Sequence, residues 1–103
     1  METCFEIRLT DLKDREPKRI EIEGEAICVV RIDSEVFAVG DTCTHANVSL
    51  AEGEIVGHDI ECWLHGSRFN LRTGVPDTPP AVVALPTYSV AIVDDLVVIE
   101  RKK

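Results

Sequence analysis

The sequence predicts an all-β domain of antiparallel strands, a sandwich or small barrel. Three observations predict it. The apolar residues fall in short runs rich in Val and Ile, turn-forming residues separate those runs, and no long stripe of helical period occurs. At 103 residues the chain has room for one such domain and none for a barrel-type or doubly wound catalytic scaffold.

The elements follow in order. Phe5–Leu9, Arg19–Glu23, Ala26–Ile32 and Val36–Val39 read as the opening strands. Glu54–Val56, Asp59–Cys62 and Ser67–Asn70 are shorter, and Tyr88–Val93 and Leu96–Glu100 close the series. Asp33-Ser34-Glu35, Gly57-His58 and Asp94-Asp95 stand at joints between runs and supply residue types that tolerate tight-turn dihedrals. Thr10–Glu16 reads as one helical turn capped by Thr10. Between Asp41 and Pro80 the texture changes, because all three histidines, two of the four cysteines, the only Trp and three of the five prolines fall there. We expect a single domain over 1–103: a base of antiparallel sheet from about 1–40 and 81–103, carrying an inserted lobe at about 41–80.

Composition narrows the function. Against 11 basic side chains stand 19 acidic ones, and a formal charge of -8 is the wrong sign for neutralising phosphates or anionic lipid. It also favours a monomer. No apolar run approaches the roughly 20 residues that span a bilayer. The start, Met1-Glu2-Thr3-Cys4-Phe5-Glu6, is acidic where a signal peptide is basic, which predicts a cytoplasmic protein with reduced thiols. Four cysteines are then better read as ligands or small buried residues than as two disulfides.

Two loops carry paired donors: Cys43-Thr44-His45, and Cys62-Trp63-Leu64-His65, with sixteen residues between His45 and Cys62. Their flanks, Asp41-Thr42 and Gly66-Ser67, are small or turn-prone and let backbone approach a prosthetic group. Read blandly, the cysteines are small core residues and the histidines surface imidazoles, but two mirrored pairs in one lobe argue against coincidence. Zinc would accept two thiolates and two imidazoles, giving a zinc-stabilised interaction module. Structural zinc, however, takes its thiolates from a short knuckle and its histidines from a helix. Two mixed loops instead suit a binuclear iron–sulfur group, with cysteines on one iron and histidines on the other. His58 reads as a solvated turn residue, Cys28 as core, and Cys4 as either exposed or covered; Trp63 could shield the centre or face a partner.

These two boxes, the run through Gly66-Ser67-Arg68-Phe69-Asn70, the turn Leu71-Arg72-Thr73-Gly74 and the Pro79-Pro80 loop resemble the Rieske family, and within it the small Rieske ferredoxins of bacterial oxygenase systems. The resemblance implies one [2Fe–2S] cluster, with Cys43 and Cys62 on the inner iron and His45 and His65 on the outer. Val48 and Leu64 stand where respiratory members carry a disulfide, so the loops would be held by apolar packing of Val48, Leu50, Leu64 and Phe69 and by the loop of Pro79 and Pro80. Ser67 matches a hydrogen-bond donor to the cluster, while Phe69 replaces a Tyr donor. That pattern implies a potential low in the Rieske range, which ends near roughly -150 mV.

No nucleophile–base pair and no pair of carboxylates with a substrate cavity emerges, so the chain reads as an electron carrier and not an enzyme. The resemblance implies transient partners, a flavin-dependent reductase and a terminal oxygenase. The alternative is a Rieske-like small subunit of a larger oxidoreductase such as nitrite reductase.

Overall fold

Burial on both faces of one strand organises the chain. In the computed structural model, which describes residues 4–43, 48–64, 66–77 and 83–100, the third strand, β3 (Glu25–Ile32), is buried on both faces. Ile27 and Val29 enter one apolar cluster, whereas Cys28, Val30 and Ile32 enter another. Its antiparallel neighbours are β2 (Lys18–Ile22) and β4 (Glu35–Gly40), with Ile20 opposite Ile27 and Val39 opposite Cys28.

A second sheet joins β1 (Cys4–Arg8), β9 (Leu96–Glu100) and β8 (Ser89–Val93) in that order. It covers the first cluster, where Val97 and Ile99 meet Leu12, Ile20, Ile22, Ile27, Val29, Val36 and Ala38. A third sheet, β5 (Glu54–Val56), β6 (Asp59–Glu61) and β7 (Arg68–Asn70), covers the second cluster. All strand pairs are antiparallel, so the all-β expectation holds, and every strand starts and ends within one residue of its expected place. No helix among the described residues is long and apolar enough to cross a membrane.

The helical turn expected over Thr10–Glu16 is corrected. A short 3-10 turn runs over Leu9–Asp11, is entered from Arg8, and has no side-chain cap. The cause is competition for its polar groups. Arg31 on β3 donates to the carbonyls of Leu9 at 3.4 Å and Leu12 at 3.1 Å, and Asp14 accepts the Asp33 amide at 2.7 Å. With Leu12 drawn into the core, the segment is pinned to the β3–β4 turn before a second helical turn can form. The joints at Asp33, Gly57 and Asp94 take left-handed φ of 56°, 61° and 59° as their residue types permit. A further turn, Glu23-Gly24, closes β2 on β3 with φ of 52° and 81°.

Two glycines are required by their surroundings. A Cβ on Gly53 would lie 1.9 Å from the Glu61 carbonyl oxygen. Gly74 has a φ of 79° and would place a Cβ 2.3 Å from the Leu85 carbonyl oxygen. Gly74→Ala is therefore expected to lower stability by at least about 1 to 2 kcal/mol, the cost of a left-handed residue before any overlap is relieved. A urea unfolding curve checks this; an unchanged midpoint would show that the turn can open.

Candidate metal centre

Backbone closure builds the first donor loop. β4 ends at Gly40, and Asp41, only 2% exposed, turns the chain out of the sheet. Thr42 and Ser49 then form a bridge, the Cys43 amide donates to the Val48 carbonyl at 3.0 Å, and the Leu50 amide donates to the Asp41 carbonyl at 2.6 Å. The Asp41 carboxylate spans the same neck. Its Oδ1 accepts the Ala51 amide at 3.0 Å, its Oδ2 accepts the Ser49 hydroxyl at 2.5 Å, and Arg19 Nε lies 3.4 Å from that Oδ2.

The second loop is a tight return between β6 and β7. The Cys62 amide donates to the Ser67 carbonyl at 2.7 Å, and the Gly66 amide donates back to the Cys62 carbonyl at 3.0 Å. Behind it the chain turns again. Asn70 accepts the Arg72 and Thr73 amides through its side chain, and Gly74 exchanges backbone bonds with Asn70 and Leu85.

The two loops deliver Cys43 and Cys62, both buried, into one apolar cluster with Leu50, Ile60, Phe69, Leu71 and Leu85. None of the four cysteines is in a disulfide. Two thiolates in such surroundings are tolerable only if positive charge meets them there, so the donor set fits a cationic metal group with two sulfur ligands. Cys28 shares the cluster from β3, but burial, with the charge of Asp41 adding to it, pushes its thiol far up and keeps it protonated. It is a core residue, as expected, and Cys4 is half-buried.

His45, His65, Pro79 and Pro80 lie outside the described residues. Ser67 and Phe69 are buried, and Val48 is half-buried against the same cluster. Leu64 departs from expectation: it is 41% exposed and does not brace the loops, because the return from Cys62 to Ser67 is closed by backbone bonds. Beside it Trp63 is 51% exposed.

Sequence reasoning missed the Asp41–Ser49 clasp, having taken Asp41 only as a turn-prone flank. The available signal was an acidic residue between Gly40 and Cys43, where the local sequence is otherwise uncharged. It also missed a tie at the other end of β6. There Arg72 donates to both carboxylate oxygens of Glu35 at 3.2 Å and lies 5.2 Å over the Phe37 ring, with His58 edge-on to Phe37 at 6.1 Å.

The Rieske [2Fe-2S] domain profile matches residues 4–89. The ferredoxin component of biphenyl 2,3-dioxygenase from Rhodococcus jostii (strain RHA1) is 39% identical over 90 residues, 87% of this chain and 84% of that one. Among solved structures, the ferredoxin of carbazole 1,9a-dioxygenase from Nocardioides aromaticivorans IC177 superposes with a TM-score of 0.93 at 31% identity, covering 98% of this chain and 100% of that chain. A chain from a complex of reduced oxygenase and oxidized ferredoxin in carbazole 1,9a-dioxygenase superposes with a TM-score of 0.91 at 32% identity, over 98% of this chain and 96% of that chain.

At the start of β6, Asp59 is pushed up to about 6, first by partial burial and then by its hydrogen bond to, and repulsion from, the Asp77 carboxylate, with Arg68 and His58 opposing. An acid whose folded pKa is raised binds its proton more tightly when folded. Its contribution to stability is complete below about pH 3.8 and is lost as pH rises through about 6. Asp77→Asn should therefore raise the urea midpoint at pH 8 and leave it little changed at pH 3.5; a gain of equal size at both values would contradict the part of Asp77 in raising Asp59.

Proposed function

Because the chain belongs to the Rieske [2Fe-2S] family and is an electron carrier with one such cluster, not itself a catalyst, we propose that Cys43 and Cys62 hold the inner iron and His45 and His65 the outer one. One observation carries this reading: two backbone-closed loops bring Cys43 and Cys62 into a single buried apolar cluster. When bound, the cluster supplies one-electron redox chemistry.

The chain's own residues set the conditions for it. Leu50, Ile60, Phe69 and Leu85 keep water from the sulfur ligands. The Ser67 hydroxyl, on a fully buried residue, is read as a donor to a cluster sulfur, which spreads the negative charge of the reduced state and raises the potential. The outer imidazoles, each with a second ring nitrogen, would present N–H donors at the surface near exposed Trp63 and Leu64.

The partners we infer are a flavin-dependent reductase that delivers the electron and a terminal oxygenase that receives it. The ferredoxin relatives support this, and the small-subunit alternative has less behind it. Docking would be brief and small, between a monomeric carrier in the cytoplasm and basic patches on its partners, steered by the charge of -8. The division into a base and a lobe at about 41–80 within one domain is supported by the third sheet, Glu54 to Asn70, falling wholly inside that span.

Purified protein should be coloured and should contain acid-labile sulfide. Dithionite should bring out an EPR signal whose average g lies below that of all-cysteine clusters. Cys43→Ser, Cys62→Ser, His45→Ala and His65→Ala should each remove most of it. A colourless protein with stoichiometric zinc would replace this reading with structural metal binding. Electron transfer to the oxygenase should also slow severalfold between about 50 and 500 mM salt, as screening shortens the reach of the acidic surface, and a flat dependence would exclude steering.

A further inference from the structure

We propose that Asp41 is a positioning residue that also acts electrostatically, its buried carboxylate clasping the neck of the first donor loop and, partly offset by Arg19, holding down the reduction potential of the bound cluster. The inference rests on the cluster reading above. It starts from what the carboxylate touches. Both oxygens are used within the fold, Oδ1 by the Ala51 amide and Oδ2 by the Ser49 hydroxyl, while the Asp41 amide donates to the Ala26 carbonyl on β3 at 3.1 Å. One residue thus joins the strand that carries Cys28 to both sides of the loop that begins at Cys43.

A hydroxyl and an amide could have been matched by a neutral Asn, so the clasp alone does not require a charge. The residue is nonetheless an acid at 2% exposure, where a charge is screened far less than on the surface. It lies close enough to sulfur to count: the Cys28 thiol, in the same cluster as Cys43 and Cys62, is pushed up first by burial and then by the Asp41 charge. Reduction adds one electron and no bond is made or broken, so a fixed negative charge nearby opposes it directly. The only cation facing the carboxylate among the described ion pairs is Arg19 at 3.4 Å, which is half exposed and shared with Glu21 at 3.0 Å. Its compensation is therefore partial.

The test is a redox titration of the holoprotein and three variants, with EPR spectra of the reduced forms. Asp41→Asn should favour the reduced form three- to tenfold at a given poise, about 30 to 60 mV upward at 59 mV per tenfold for one electron. Arg19→Gln should move the midpoint the other way and by less. Ser49→Ala should lower the urea midpoint while leaving the potential in place, because it loosens the clasp and keeps the charge. Opposite shifts for Asp41→Asn and Arg19→Gln with unchanged g values support the proposal. Unmoved potentials, or shifts of the same sign, overturn it. Should Asp41→Asn fail to fold, Arg19→Gln decides alone: a downward shift supports the proposal and an unmoved midpoint overturns it. Absence of a reduced-state EPR signal in the unmodified protein would overturn the cluster reading itself, before any variant is compared.

Discussion

Everything in this fold depends on β3 having two interiors. A strand shows alternate side chains to opposite faces, and here both faces are dry, so one backbone serves as the floor of two cores. Ile27 and Val29 hold the terminal sheet, and Cys28, Val30 and Ile32 hold the sheet that carries the second donor loop. A register slip of one residue would exchange the two sets and disrupt both cores together. The donor loops are thereby fixed against the same rigid element, one emerging from β4 and the other resting over it.

Rigidity at the donors comes from amides more than from side chains. Each loop is closed by short backbone bonds at its base, and the first is locked again by the Asp41 carboxylate. No covalent bridge between the loops is needed, and the apolar residues beneath them, Leu50 and Phe69, are fully buried. A metal group held in this way has little freedom to relax when its charge changes, which is what an electron carrier requires. Exposed Leu64 and Trp63 cost the loop little, because the backbone of Cys62, Gly66 and Ser67 around them already closes the turn.

Much of this was legible in the residues. Strands announce themselves through alternation and β-branched content, and the hairpin joints at Asp33, Gly57 and Asp94 through residue types that accept a left-handed backbone. Cys43 and Cys62 stood out because each is paired with a histidine at close spacing. What could not be read is what depends on distance across the fold. Arg19 reaches Asp41, Arg31 takes the carbonyls of Leu9 and Leu12, and Arg72 reaches Glu35, and none of these pairs has a local pattern. The helical turn failed for the same reason, since its own sequence favoured it and a distant arginine did not. Leu64 misled because an apolar residue in a binding loop suggests a brace, whereas the backbone there had already supplied one.

The pairing of β1 with β9 bears on how the chain is made. β2 to β4 and β5 to β7 each pair with the next strand in sequence, so those hairpins can close as they leave the ribosome. Among the described strands β1 is bonded to β9 alone, from Cys4 opposite Glu100 to Arg8 opposite Leu96. It must wait, unpartnered, while almost all of the remaining chain is synthesised, and the core that needs Val97 and Ile99 stays unsealed until then. The topology thus allows the sheets bearing the donor loops to form before the layer beneath them, and it offers the first strand its partner last.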